Sequence, residues 1–171
     1  MQSHRDSTKF VADAMLGSLA RKLRAFGFDT AYYREGGDEE IIRLAKAEGR
    51  VILTSDRSLG ARARSKGVRI FMIEGRTDGR RISSLISSAR AEGVPLERGN
   101  PLCSVCGGGL VVVPRNQAAL SVPTLVAARH RLFFQCVSCG RFYWRGAHWK
   151  KLSNLERVFG HRVRRNQVNT G

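Results

Sequence analysis

Strand and helix patterns alternate four times within the first 93 residues of the chain. Short apolar runs are typical of buried strands, and each is followed by apolar residues at helical spacing. The four runs begin at Phe10, Thr30, Val51 and Val68. This alternation with short connections predicts an α/β fold with a parallel sheet and flanking helices. Right-handed crossovers favour the strand order 2-1-3-4.

Acidic residues follow three of these strands. Asp13 closes the first run, Asp38 lies on the loop after the second, and Asp56 follows the third. In the predicted order, the first and third strands are neighbours whose connections leave in opposite directions, which is where open α/β sheets bind ligands. We therefore expect the three carboxylates to converge, with a divalent cation relieving their repulsion. Oxygen ligands without a nearby His or Cys favour Mg²⁺ or Mn²⁺.

The acids also have structural interpretations. Asp38 is well placed as the N-cap of the second helix, with Glu39 or Glu40 as alternative ligands. Asp56 is able to cap the short helix that follows it. Asp78, in the loop after the fourth strand, faces the same edge of the sheet and is a candidate fourth acid.

All four cysteines lie in two Cys-x-x-Cys pairs, Cys103 with Cys106 and Cys136 with Cys139, separated by 29 residues. Paired knuckles of this form bind Zn²⁺ tetrahedrally through four thiolates, so we expect a structural zinc ion. A module this small depends on its metal to fold. Such pairs indicate metal sites rather than disulfides in a reducing compartment.

Basic residues outnumber acidic ones by 30 to 14, which gives a formal net charge of +16. After residue 92, Glu97 and Glu156 are the only acids beside twelve lysines and arginines. A field of this sign attracts polyanions and predicts a nucleic-acid partner. A solubility role and a membrane-surface patch are the alternatives. The sequence has no signal-peptide pattern and no apolar run of spanning length, which predicts a cytoplasmic protein without membrane contact.

Aromatic residues are interleaved with cations around and after the second cysteine pair. The aromatics are Phe142, Tyr143, Trp144 and Trp149, and the candidate nucleic-acid contacts are Arg141, Arg145, Lys150 and Lys151. Bases stack on aromatic faces while cations hold phosphates, which predicts a platform for single-stranded RNA. The favoured alternative for the aromatics is a place in the ribbon's core or its contact with the α/β domain. Arg57, directly after Asp56, is a further candidate contact with the strand.

Several segments resemble the Mut-seven C-terminal ribonuclease domain family. They are residues 13–24 (DAMLGSLARKLR), 27–30 (GFDT), 49–57 (GRVILTSDR) and 143–149 (YWRGAHW), together with both cysteine pairs. The resemblance implies a PIN-like nuclease fold with a C-terminal zinc ribbon and a metal-dependent ribonuclease activity. It maps the acidic cluster onto Asp13, Asp38 and Asp56. Leu102 and Gly107 depart from the family pattern without touching a proposed ligand, and no fourth acid matches securely.

The predicted organisation is a PIN-like α/β nuclease domain at 9–93, a four-cysteine zinc ribbon at 101–152 and a basic flexible tail at 153–171. The main hypothesis is a ribonuclease that uses Mg²⁺ or Mn²⁺, with the basic ribbon aiding RNA binding. The alternative is a non-catalytic RNA-binding or ribosome-associated zinc-ribbon protein whose acids are helix caps. A phosphatase-like hydrolase is disfavoured because Met15 stands where its second acid is expected.

Overall fold

The structure is a computed structural model that describes residues 7–146, 154–155 and 159. Its larger sheet consists of β1 (Lys9–Ala12), β2 (Thr30–Tyr32), β3 (Arg50–Thr54) and β4 (Ile70–Met72). The strands are all parallel and lie in the order β2-β1-β3-β4. The predicted parallel α/β sheet and its strand order are confirmed.

Four helices cover the two faces of this sheet. They are α1 (Gly17–Ala25), α2 (Asp38–Glu48), α3 (Arg57–Ser65) and α4 (Asp78–Ala91). Successive side chains of a strand point to opposite faces. Phe10 and Leu53 therefore pack with α1 and α4, whereas Val11 and Ile52 pack with α2 and α3. None of the helices in the described part of the chain has both the length and the apolar character that a membrane crossing requires.

The start of α2 differs from the prediction. Gly37, in an extended conformation, is the N-cap residue, and Asp38 is the first residue of the helix. The prediction that Asp38 caps α2 is wrong, because its carboxylate pairs instead with Arg62 of α3. Asp38 and the two glutamates after it fill the first turn, where the helix dipole favours negative charge. The helix ends at Gly49, whose φ of 63° suits a residue without a side chain.

A second, antiparallel sheet adjoins both cysteine pairs: Cys103 and Cys106 precede its first strand, and Cys136 ends its central strand. It consists of β5 (Leu110–Val113), β6 (Phe133–Cys136) and β7 (Phe142–Trp144), in that order. Two short helices, α5 (Arg115–Ala118) and α6 (Thr124–Arg129), lie between β5 and β6. Phe142 and Trp144 pack half-buried against the small core that includes the fully buried Phe133. For these two aromatics, the structure agrees with a role in the ribbon's core.

The ribbon packs against the edge of the parallel sheet at which the strands begin. The Leu102 N–H donates to the Arg24 carbonyl, and the Gly99 N–H donates to the Gly27 carbonyl, both at 2.9 Å. Gly27 adopts a φ of 90°, and a Cβ at this position would lie 2.2 Å from the Gly99 oxygen. Because Asp13 follows the opposite end of β1, the ribbon and the acids lie at opposite edges of the sheet.

Phe159 belongs to the core of the parallel sheet. It is 7% exposed, and its ring centroid lies 5.4 Å from that of Phe26 and 5.3 Å from that of Phe28. Of the predicted flexible tail, the structure describes 154, 155 and 159, and the other positions lie outside the described residues. The chain therefore returns to the α/β domain after the ribbon, which the prediction of a flexible tail did not anticipate.

Candidate active site and zinc centre

The three acids predicted from the sequence line one open cleft at the carboxyl edge of the parallel sheet. The cleft has a volume of about 140 Å³, and its walls include Asp13, Asp38 and Asp56. Asp13 directly follows β1, Asp38 begins α2, and Asp56 lies between β3 and α3. The fold thus brings together carboxylates from three separate strand-to-helix connections.

Asp13 is the buried member of this acidic cluster, with 8% of its surface exposed. Its Oδ2 accepts a hydrogen bond from the Thr54 hydroxyl, and its Oδ1 accepts one from the Met15 amide at 3.0 Å. Burial raises the pKa of Asp13, and the bonds from Thr54 and the backbone oppose that rise only in part. Burial disfavours the charged form of the Asp13 carboxylate, and a nearby cation would stabilise that form.

Thr54 links Asp13 to Asp56. Its hydroxyl is fully buried and accepts the backbone N–H of Asp56 at 2.9 Å while it donates to Asp13. The exposed Asp56 carboxylate accepts from the amides of Ser58 at 2.7 Å and Leu59 at 3.3 Å. Asp56 is therefore both the N-cap of α3 and a wall of the cleft.

Ion pairs tie the first turn of α2 to α3. Asp38 pairs with Arg62 of α3, and Glu39 pairs with Lys66, the C-cap residue directly after α3. Glu40 accepts a hydrogen bond from the Tyr33 hydroxyl. Asp38 faces the cleft, and neither glutamate is among the described residues that line it. Asp38 is accordingly the acid of this turn best placed for a site.

Asp78 lies outside the described lining of the cleft. Its carboxylate accepts a hydrogen bond from Ser18 at 3.0 Å and forms an ion pair with Lys22 at 2.9 Å. Both partners belong to α1, so Asp78 fastens the start of α4 to α1. Asp78 therefore does not supply a fourth acid to the cluster.

The chemistry of the cleft fits a hard divalent cation. Carboxylate oxygens without thiolate or imidazole are the ligands that Mg²⁺ and Mn²⁺ prefer, and Asp13 is a desolvated carboxylate that a cation would stabilise. Among the described residues, the four cysteines are the one group of three or more candidate ligands whose atoms all lie within 4.8 Å of one another. The Asp38 carboxylate instead forms an ion pair with Arg62, and the Asp56 carboxylate accepts hydrogen bonds from the amides that begin α3.

The four cysteines form the predicted metal cluster. The Sγ atoms of Cys103 and Cys139 lie 3.6 Å apart, and those of Cys106 and Cys136 lie 3.4 Å apart. These separations exceed the roughly 2.05 Å of a disulfide. They suit four thiolates placed about 2.3 Å from one tetrahedral Zn²⁺ ion. The cluster is therefore able to bind zinc, and four protein ligands leave no open coordination position.

Tyr143 supports the cysteine cluster from β7. Its hydroxyl lies 2.9 Å from Cys103 Sγ and 3.3 Å from Ser104 Oγ. Burial opposes ionisation of Cys103, but hydrogen bonds from Tyr143 and backbone amides lower its pKa to about 6. This role of Tyr143 was not predicted from the sequence, although the alternation of side chains along β7 offered a signal. With Phe142 and Trp144 in the core, Tyr143 must face the other side.

The predicted nucleic-acid contacts are only partly described. Arg57, Arg141 and Arg145 are exposed, whereas Lys150 and Lys151, with Trp149 beside them, lie outside the described residues. Arg34 lines the acidic cleft and was missed from the sequence. Its position in the loop after β2, at the same edge of the sheet as the acids, is the sequence feature that indicates this placement.

The model of one protein family, described as Mut7-C RNAse domain, matches residues 8–155. The matched range includes the acidic cleft and both cysteine pairs. No curated protein and no solved structure matches the chain. The family model covers most of the sequence, so the resemblance found in the sequence is confirmed, and the chain belongs to the Mut7-C RNAse domain family.

Proposed function

We propose that the protein is a PIN-like, metal-dependent ribonuclease that hydrolyses phosphodiester bonds of single-stranded RNA at the acidic cleft. The observation that carries the proposal is the meeting of Asp13, Asp38 and Asp56 at one cleft from three separate connections. The match to an RNAse domain family supports RNA as the substrate. The net charge of +16 favours binding of such a polyanion.

Asp13, Asp38 and Asp56 would hold one or two Mg²⁺ or Mn²⁺ ions, for which carboxylate oxygens are suitable ligands. When bound, such ions activate a water molecule and neutralise charge that develops on the scissile phosphate. Thr54 orients the Asp13 carboxylate, and its bond to the Asp56 amide fixes the start of α3 beside it. Thr54 therefore fixes Asp13 and the start of α3 relative to each other.

Cations near the cleft would position the RNA strand. Arg57 adjoins Asp56, and Arg34 lines the cleft itself. Guanidinium groups bind phosphate oxygens with little dependence on base sequence. The exposed Arg141 and Arg145 of the ribbon would extend this contact, and the four cysteines would hold a structural Zn²⁺ ion. The proposal therefore predicts cleavage with weak sequence preference.

A non-catalytic RNA-binding protein is the second candidate. It is favoured by the structural partners of two acids, because Asp56 caps α3 and Asp38 pairs with Arg62. In that case the basic surface would bind RNA, and the carboxylates would only stabilise the fold. The two candidates differ most simply in their dependence on divalent cations.

The experiment measures RNA binding and RNA cleavage with Mg²⁺ or Mn²⁺ present and with both omitted. Omission is preferable to a strong chelator, because a chelator would also remove zinc from the cysteines. Cleavage that requires the cation, with binding retained in its absence, supports the ribonuclease. Binding without cleavage under either cation would overturn it in favour of the second candidate.

A further inference from the structure

Arg24 is a buried arginine at the contact between the parallel sheet and the zinc ribbon. It lies in the last turn of α1 and is 6% exposed. Its Nε donates to the Thr30 carbonyl at 2.7 Å, at the start of β2. Its Nη1 donates to the carbonyls of Val105 at 2.7 Å and Ser104 at 3.4 Å. One guanidinium therefore bridges the α/β domain and the loop between the first two cysteines.

The backbone around Arg24 strengthens the same contact. The Leu102 N–H donates to the Arg24 carbonyl at 2.9 Å, directly before Cys103. Gly107 has a φ of 82°, and a Cβ there would lie 3.3 Å from Arg24 Nε. The guanidinium thus lies against the backbone that closes the first cysteine loop. Both the side chain and the main chain of Arg24 hold this loop.

A buried guanidinium needs a compensating negative charge. None of the ion pairs in the described part of the chain joins Arg24 to a carboxylate. Burial lowers the pKa of Arg24, and the charges of Cys106, Cys103 and Asp29 oppose that fall, those of the two cysteines most strongly. Four thiolates around one Zn²⁺ would carry two net negative charges. The cysteine cluster is therefore the natural counter-charge of Arg24. An arginine suits this position because its planar guanidinium group donates hydrogen bonds to several carbonyls at once.

We propose that Arg24 is a positioning residue of the zinc centre: it holds the Cys103–Cys106 loop and balances the thiolate charge, which couples zinc binding to the end of α1. Groups of this kind around metal sites fix the ligands and tune the affinity for the metal. The consequence is that the ribbon and the α/β domain form one cooperative unit instead of two independent modules. This proposal does not depend on the proposed ribonuclease activity.

The first test compares zinc affinity among full-length variants, using competition with a chromophoric chelator. Arg24→Met should weaken zinc binding about 10- to 100-fold, the usual effect of losing a group that supports a metal ligand. Arg24→Lys keeps the charge without the fork and should lose less. Arg21→Met is the matched control, because Arg21 lies exposed on the same helix. Zinc affinity in Arg24→Met equal to that of Arg21→Met would overturn the proposal.

The second test uses the wild-type chain and so does not require the variants to fold. Amide hydrogen exchange is measured in the zinc-loaded protein and after zinc removal. The proposal predicts faster exchange in the ribbon and also at Phe26, Gly27 and Phe28, whose amides donate to carbonyls in the last turns of α1. Faster exchange confined to residues after 102 would overturn the coupling.

Discussion

The Thr54 hydroxyl donates a hydrogen bond to the carboxylate of Asp13, although 41 residues separate the two in the chain. Parallel pairing of β1 with β3 brings them together, because Ala12 lies opposite Leu53 in the register. Thr54 is fully buried beneath the cleft and also accepts the amide of Asp56. One hydroxyl thus fixes the relative positions of two of the proposed catalytic acids.

Replacement of Thr54 by Val tests this link, because it removes the hydroxyl and keeps the branched shape. We expect the free energy of unfolding to fall by about 1 to 3 kcal/mol, since a buried carboxylate oxygen and a backbone N–H lose their partner. RNA cleavage should fall about 10- to 100-fold, as is usual for groups that orient metal ligands. Denaturant unfolding and cleavage rates provide the measurements. Thr54→Ser, which keeps the hydroxyl, should retain most of the activity, and wild-type rates in Thr54→Val would contradict the role.

Loss of one cysteine ligand should remove the metal and the structure of the ribbon together. Cys136→Ser replaces a buried thiolate of the cluster, and a small core cannot compensate for the lost metal. We expect the zinc content to fall well below one ion per chain and β5 to β7 to lose amide protection. Val137→Ala is the control, because Val137 lies in the same knuckle and is 65% exposed. A folded ribbon without zinc in Cys136→Ser would refute a structural role of the metal.

Phe159 is predicted to stabilise the α/β domain. Phe159→Ala should lower the free energy of unfolding by about 3 kcal/mol or more, because it leaves a cavity between Phe26 and Phe28. In a chain of this size, that change corresponds to a fall in Tm of roughly 6 to 12 °C. Leu120→Ala is the comparison, since Leu120 is 88% exposed and its loss should cost little. Equal Tm values for the two variants would show that Phe159 adds nothing to the core.

The positions of the cleft and the ribbon predict a dependence on RNA length. They lie at opposite edges of a sheet whose strands are about 13 Å long, so an RNA must exceed about four stacked nucleotides to reach both. Replacement of Arg141 and Arg145 by Ala should therefore weaken binding of an RNA of about twelve nucleotides and leave one of about three unaffected. The salt dependence should also fall, by about 0.7 in the slope for each lost phosphate contact. An equal loss of affinity for both lengths would contradict this path.

Local patterns were sufficient to predict the parallel sheet, its strand order and the edge at which the acids meet. Asp13 follows its apolar run directly, and Asp56 follows within three residues of Leu53, so their place at the carboxyl edge depends on chain direction and short connections alone. The cysteine cluster was equally predictable, because two Cys-x-x-Cys pairs leave few other arrangements. Each of these features is predicted from a short local pattern, either an apolar run that an acid follows or a Cys-x-x-Cys pair.

The features that could not be predicted all depend on contacts between distant segments. Asp38 was predicted to cap α2, but its carboxylate pairs instead with Arg62, which belongs to α3. In the helical pattern of α1, Arg24 looks like the neighbouring exposed cation Arg21, and only the approach of the Ser104 and Val105 carbonyls explains its burial. Phe159 stands in a basic, polar stretch whose composition favours a flexible tail. In each of these cases, tertiary contacts overrode the structure that the local sequence pattern predicts.

Replacement of Asp56 by Asn tests whether the acidic cleft hydrolyses RNA. Asn is as good an N-cap as Asp, so the change should preserve the cap of α3 and remove the charge that faces the cleft. Asp29→Asn is the control, because Asp29 pairs with Arg50 at the opposite edge of the sheet. The wild type and both variants are purified identically, and cleavage of end-labelled single-stranded RNA is measured in Mn²⁺. We expect cleavage by the wild type and by Asp29→Asn and none by Asp56→Asn. Equal cleavage by all three, or none by any while RNA is still bound, would contradict a nuclease role of the cleft.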